Sequence, residues 1–207
     1  TSSVIDSDIF TNLNRKIAKQ IFDIPVKTKV IFTGANNVKA EAKGRNYLVK
    51  ALSDLWEIMD SRSRNNVIVL MAGYLDSEDE QTKQIKFNKK LINYITDYRY
   101  LSLVYQAADV FVCSSLEDAG PMMVAEALAC GTPVVGFETG LLFDDTLVQN
   151  GLNGYRIKMK DTKGLMEKLH EVITLNENDF LRMSESSRDQ ALKFTSKEAF
   201  LISIADI

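Results

Sequence analysis

Apolar residues in this chain fall into two patterns. Short runs, Lys29 to Phe32, Val67 to Met71, Val110 to Cys113 and Val134 to Phe137, have strand length and, past Lys29, no polar residue. Such runs are the mark of strands buried on both faces. Between them the apolar positions return every three or four residues, the period of a helix with one inward face. A helix is expected from Gly44 to Met59, with Tyr47, Leu48, Ala51, Leu52, Leu55 and Met59 on that face. A second is expected from Leu101 to Ala108, presenting Leu101, Val104, Tyr105 and Ala108. Further helices are expected over Asn12 to Phe22, with Leu13, Ile17 and Ile21 as the stripe, and over Glu78 to Lys90. Leu91 to Ile95 and Gly154 to Ile157 complete the strands. Later helices run from Thr162 to Leu175, capped by Asp161, and from Asp179 to Lys193, with Thr195 and Glu198 as a capping box for a last one.

Strands alternating with helices imply an α/β fold: a Rossmann-like parallel sheet of about six strands with helices on both faces. We assign residues 29–175 to that domain, 1–28 to an entering linker with a short helix, and 176–207 to trailing helices. In such sheets ligands bind at the carboxyl ends of the strands. The polar, glycine-bearing loops after Phe32, Met71, Cys113 and Phe137 lie at that edge, with Gly34 closing the first strand.

The chemistry concentrates between Ser114 and Gly140. A loop holding Glu117 and Asp118 leads through Gly120 and Pro121 into a helix reaching to about Cys130, since proline suits a first helical turn. Met122, Met123, Val124, Ala125, Ala127, Leu128 and Ala129 make that helix apolar all round, so it is buried. Glu126 is its one charge. A carboxylate there must be paired or face a cleft. The free amides of Met122 and Met123 in the first turn form a phosphate-sized anion site. Lys43, before Gly44 at the start of the first long helix, is unfavourable for the helix dipole, which leaves it without a structural reason. For Glu117 and Asp118 a plain turn role competes, because acids ahead of a helix are stabilised by its dipole alone. Ser114 and Ser115 lack a nucleophile elbow and a histidine–acid pair, and His170 reads as a helix-flank residue.

Asp118 and Glu126, seven residues between them, followed by Ala127-Leu-Ala-Cys-Gly-Thr-Pro-Val-Val135, closely resemble the C-terminal signature of the group 1 retaining glycosyltransferases with the GT-B fold. That family usually writes two glutamates at this spacing, then Ala-Met-Ala-Xaa-Gly-Xaa-Pro-Val-Val. Here the first acid is Asp118 with Glu117 one step earlier, and Gly120-Pro121 replaces the usual aromatic–glycine pair. Ala35 stands where an arginine usually follows the glycine of the first strand, with Lys39 as a substitute in the loop, and Leu141 replaces the second glycine of a loop beginning at Gly140. The resemblance implies one half of a GT-B architecture that binds a nucleotide-diphosphate sugar, UDP- or GDP-linked, as donor. Glu126 would accept from the ribose hydroxyls, Asp118 or Glu117 would hold the sugar, and the Met122 and Met123 amides with Lys43 would meet the diphosphate. It also implies no metal or other cofactor, a leaving phosphate that takes the acceptor's proton, and a separate N-terminal domain for a glycan or lipid-linked acceptor. A non-catalytic nucleotide-binding module of the same fold, or a sugar-nucleotide epimerase of the same two-domain architecture, would carry the same framework.

Composition narrows this only a little. With 45% hydrophobic and 26% charged residues the 207-residue chain is ordinary for a globular protein. Its net charge of −3 speaks against nucleic acid as a partner. Cys113 and Cys130 fall within a strand and a helix, as reduced core thiols of a cytoplasmic protein. No cluster has metal-ligand spacing, and no apolar run reaches membrane-spanning length. Lys83, Lys86 and Lys90 form a helical stripe that offers peripheral contact with anionic lipid on the cytoplasmic face, although a solvated face is the plainer reading. The start at Thr1 is what a piece of a longer protein would show, and the helices from Asp179 onward are expected to reach toward a missing domain.

Overall fold

The computed structural model describes residues 4–34, 41–73, 79–117, 122–197 and 201. In chain order the elements are α1 (Arg15–Ile21), β1 (Lys29–Gly34), α2 (Arg45–Ile58), α3 (Ser61–Asn65), β2 (Val67–Ala72), α4 (Glu80–Gln84), β3 (Asn88–Ile92) and α5 (Tyr98–Ala107). They continue with β4 (Val110–Cys113), α6 (Met122–Ala129), β5 (Val134–Phe137), β6 (Gly154–Ile157), α7 (Thr162–Thr174) and α8 (Glu177–Thr195). Short 3-10 turns cover Glu41–Lys43 and Gly140–Leu142.

The strands form one parallel sheet in the order β3-β2-β1-β4-β5-β6. Its inner strands β2, β4 and β5 are apolar without interruption because both faces are covered, and successive side chains go to opposite sides. Val30, Phe32, Leu70, Phe111 and Val134 face a core shared with α1, α5, α6 and α8. Ile31, Val69, Val110, Val112, Val135 and Phe137 face the core under α2 and α7. Each such side chain, fully buried, contributes about 1.5–3 kcal/mol. Helix starts follow local chemistry: Asp161 accepts from the Gly164 amide at 2.9 Å, as its position suggested, and Asn176 accepts from Asp179 at 3.0 Å. Cys113 and Cys130 are both buried free thiols.

Several elements depart from the sequence reading. The stripe Leu13, Ile17 and Ile21 points outward, with Leu13 81% exposed, and α1 buries Ala18, Lys19 and Phe22 instead. Lys19 goes inward because Asp109 is there to receive it. The stretch expected as one helix from Glu78 to Lys90 is helical only over α4 and then turns into strand. Ile85 and Phe87 are buried while Lys86 and Asn88 are exposed, a period of two that the lysines disguised. The third strand accordingly spans Asn88–Ile92 rather than Leu91 to Ile95. Lys83, Lys86 and Lys90 therefore share no helix: Lys83 pairs with Glu80, Lys86 with Glu57 at 2.5 Å, and Lys90 lies on β3 near Asp23. The lysines on this edge strand instead discourage further pairing. α8 packs on α6, where Ser184 Oγ donates to the Gly131 carbonyl and Arg188 to that of Phe10. Glu198, half of the expected capping box, lies outside the described residues.

At the amino edge, where β1 meets β4, Asp109 is 3% exposed. Its carboxylate faces Arg15, Lys19 at 3.1 Å and Lys29 at 3.7 Å, and accepts the Val30 amide at 2.8 Å. Burial pulls the Lys19 ammonium below its ordinary value, with Asp109 opposing that fall. Removing the carboxylate strands the buried Lys19, so Asp109→Asn should cost about 3–5 kcal/mol in urea unfolding. A loss below about 1 kcal/mol would mean that other groups hold the ammonium.

Candidate functional site

The winding of the sheet reverses between β1 and β4, and open α/β sheets offer a crevice at the carboxyl ends of the strands flanking such a reversal. Here those ends are Gly34 and Ser114. Asp118, Gly120 and Pro121, expected to build the loop into α6, lie outside the described residues, as do Ala35 and Lys39. Glu117 is described and exposed.

Glu126 is 7% exposed within a helix otherwise made of apolar side chains. Its Oε2 accepts the hydroxyl of Tyr105, on α5, at 2.9 Å. Burial raises the Glu126 carboxyl above its ordinary value, and the bond from Tyr105 partly offsets this. Burial, and then the neighbouring carboxylate, pushes the phenol well above its usual range, so the phenol stays protonated and donates. Tyr105 was read from the sequence only as part of an apolar face. Nothing local marks it as the partner of a residue 21 positions away.

The turn carrying Lys43 is brought to the acidic loop by backbone. Gly44 sits at φ 59°, and a Cβ there would fall 2.0 Å from the Ser114 carbonyl oxygen, so only glycine fits. Ser114 Oγ donates to the Lys43 carbonyl at 2.9 Å, and the amides of Leu116 and Glu117 both donate to Ala42, at 2.7 and 3.4 Å. Lys43 and Glu117 thus stand on adjoining turns. Gly34 lies beside α6: a Cβ on it would meet Met123 Cε at 3.0 Å. Met122 and Met123, both half-buried, begin the described part of α6. Gly140, at φ 52°, opens the turn whose Leu142 is buried next to the same helix. The structure therefore gathers Gly34, Lys43, Glu117, Met122, Met123 and Gly140 at one edge of the sheet, with Glu126 one helical turn behind Met122.

The start of α2 is held by a pair that sequence reading passed over. Arg45 is 7% exposed and its Nη2 meets Asp79 at 3.0 Å and the Thr82 hydroxyl. The signal was present as Asp79 three residues before Thr82, a helix cap, and Asp79 does accept the Thr82 amide at 2.9 Å. Among the described residues no group of three or more histidine, cysteine or acidic side chains could hold a metal ion, and no helix is long and apolar enough to cross a membrane.

Comparison with known proteins gives this edge a context. The family model described as "Glycosyl transferases group 1" matches residues 14–190. The chain is 25% identical over 199 residues to the D-inositol 3-phosphate glycosyltransferase of Mycolicibacterium smegmatis, a match covering 92% of this chain and 42% of that protein. It thus spans less than half of that relative. In fold it is similar to the Anabaena protein HepE, solved with UDP and glucose: TM-score 0.75 and 16% identity over 98% of this chain and 54% of that one. The C-terminal domain of a group 1 glycosyl transferase from Francisella tularensis gives a TM-score of 0.72 at 17% identity, with 93% of this chain and 99% of that domain covered.

The Arg45–Asp79 pair has a pH signature. Burial alone would raise the Asp79 carboxyl, but the hydrogen bonds from Thr82 and Arg45 outweigh it and hold the group at about 2. An unfolded aspartate titrates near 3.9. With the folded value the lower of the two, the stability Asp79 contributes is present above about pH 4 and is lost as pH falls toward 2. In urea melts, the gap between the parent and Asp79→Asn should be open at about pH 5, fall to about half near pH 3 and close toward about pH 2. A gap that stays constant with pH would assign the effect to packing.

Proposed function

The chain belongs to the group 1 glycosyl transferases, and we propose that it is the part of such an enzyme that holds the activated sugar donor, a nucleoside-diphosphate sugar. The observation that carries this reading is Glu126, a carboxylate set in an apolar helix beside the sheet's reversal with one oxygen held by Tyr105. A carboxylate so placed is suited to accept from both hydroxyls of a ribose. The amides of Met122 and Met123 and the ammonium of Lys43 meet the diphosphate, since a helix N-terminus and a cation both favour the charge that builds on a leaving phosphate. Glu117 or Asp118 receives the hydroxyls of the sugar, with Gly34 and Gly140 leaving room for the ligand. That the HepE structure was solved with UDP and glucose supports a donor of this class.

In this reading transfer retains the configuration of the sugar, without a metal, and the leaving phosphate takes the acceptor's proton. The acceptor, a glycan or a lipid-linked glycan, is supplied by a separate N-terminal domain, and the enzyme works in the cytoplasm or at the cytoplasmic face of a membrane. The coverage of the relatives, 42% in one and 54% in another, is what a donor half would show. The 207 residues alone then bind a donor nucleotide but transfer nothing, because a second wall is needed to orient the acceptor and exclude water.

Calorimetry with UDP and GDP tests the site. Glu126→Gln should weaken the preferred nucleotide by about 1.5–3 kcal/mol, the range for a hydrogen bond to a charged group. Lys43→Ala should weaken the diphosphate far more than the bare nucleoside. Unchanged affinity in Glu126→Gln removes the ribose role, and equal losses for both ligands remove Lys43 from the phosphate.

A transfer assay with simple glycoside acceptors tests the half-enzyme reading. Robust turnover by this chain would overturn it. Failure of every nucleotide to bind the folded chain would favour a non-catalytic module.

A further inference from the structure

The two oxygens of Glu126 are unequal. Oε2 accepts from Tyr105, and among the described residues no other group donates to the carboxylate. Tyr105 itself has no freedom to follow a moving partner. Its side chain is fully buried, its ring lies edge-on to Phe32 at 5.3 Å, Phe111 at 5.7 Å and Phe10 at 6.3 Å, and its carbonyl accepts the Thr132 hydroxyl at 2.7 Å. Rings from β1, β4 and the segment before α1 thus fix the phenol, and the phenol fixes the carboxylate.

Stability alone gives little reason for this pair. Phenylalanine would fill the same aromatic cluster, and an apolar residue in place of Glu126 would spare the burial of a charge. What the pair does supply is orientation: a carboxylate anchored through Oε2 keeps Oε1 as the acceptor on offer. We propose that Tyr105 is a positioning residue that holds Glu126 with Oε1 turned to the ribose of the donor nucleotide. This rests on the ribose role given to Glu126 above. By donating to the ionised form, the hydroxyl also helps keep the carboxyl charged, and so acceptor-only, in an apolar setting. Among the described residues the other ionisable groups near the pair are Cys113 on β4 and Cys130 just beyond α6, with Arg188 on α8 next to Cys130. Burial pushes the Cys130 thiol up to about 12, so it stays neutral while Glu126 titrates.

Tyr105→Phe keeps the ring and removes only the hydroxyl. Calorimetry would compare this variant with the parent on UDP and GDP and on their 2′,3′-dideoxy counterparts. The variant should bind the better ribose ligand about tenfold more weakly, and the dideoxy ligand no more weakly than the parent does. In a Glu126→Gln background, which also removes the buried charge, the same change should have little further effect. Parent binding should weaken on acidification as Glu126 protonates, and in Tyr105→Phe that weakening should begin at higher pH. Equal losses on ribose and dideoxy ligands, no loss on either, a full loss in the Glu126→Gln background, or an unmoved pH profile would each overturn the assignment. A parent that does not distinguish ribose from dideoxyribose would overturn the ribose role itself, and this assignment with it. A parent that does distinguish them, with Tyr105→Phe distinguishing them equally well, overturns only the role of Tyr105.

Discussion

A single buried carboxylate holds the point at which the sheet changes direction. β1 and β4 are neighbours in space but lie far apart in the chain, and their ladder is short, pairing Ile31 with Val110 and Phe32 with Phe111. Asp109 lengthens that junction from below. Its amide donates to the Val30 carbonyl, its carboxylate accepts the Val30 amide, and the same group pairs with Lys19 from α1 and lies near Lys29, the first residue of β1. Burying charges is costly, and an apolar cluster would often be as stable. The cluster does, however, tie four segments at once, since Lys29 also donates to the Leu175 carbonyl and Arg15 stacks on Phe180 of α8. Whatever binds at the opposite edge depends on β1 and β4 standing side by side. On the proposed reading, the amino edge is thus built for position and the carboxyl edge for chemistry.

The chemistry at that edge is assembled by contacts of unlike kinds. Lys43 reaches the acidic loop through backbone, because Gly44 lets its turn lie against Ser114 and no other residue would. Glu126 is placed by a side chain, the phenol of Tyr105, inside a helix whose other side chains are apolar. The Gly140 turn is held by packing, with Leu142 fully buried. A backbone contact fixes position to a few tenths of an ångström but carries no charge. A buried hydroxyl–carboxylate bond carries charge and direction but requires a rigid surround, which the rings of Phe10, Phe32 and Phe111 provide. On the proposed reading, the first kind serves the diphosphate, whose charge is diffuse, and the second serves the ribose, whose hydroxyls are directional.

How much of this was legible in the sequence follows from how far each determinant acts. The parallel sheet was readable because strands buried on both faces must be apolar at every position, and Val110–Cys113 and Val134–Phe137 are. Glu126 was readable because a charge within an apolar helix is conspicuous against its neighbours. α1 misled, since Leu13, Ile17 and Ile21 keep helical spacing, yet the inward face was decided by Asp109, 90 positions beyond Lys19. β3 misled for a related reason: an edge strand need not be apolar throughout, and its Lys89 and Lys90, with the buried Ile85 and Phe87 set among polar residues just before it, read as one helix. Tyr105 and Arg45 were invisible as partners, because a tyrosine on an apolar face and an arginine in a first helical turn have ordinary local explanations. Local periodicity reports burial; the identity of a long-range polar partner is not local information.

On the proposed reading, the geometry also bears on why such a site needs a second wall. All the site groups described here stand at the strand ends of one sheet, so they can line only one side of a ligand. On that reading a nucleotide has its ribose against Glu126 and its diphosphate at the start of α6, which leaves the transferred sugar at the open side. Electrostatic stabilisation of a leaving diphosphate grows as water is excluded, and Lys43 and a helix N-terminus on one wall remain in contact with solvent. Binding needs only the fixed contacts. Transfer needs the dielectric to fall and an acceptor to be held in line, and both require a surface that faces this one. On the proposed reading, affinity for the nucleotide therefore belongs to this half, whereas rate belongs to the closure of the two.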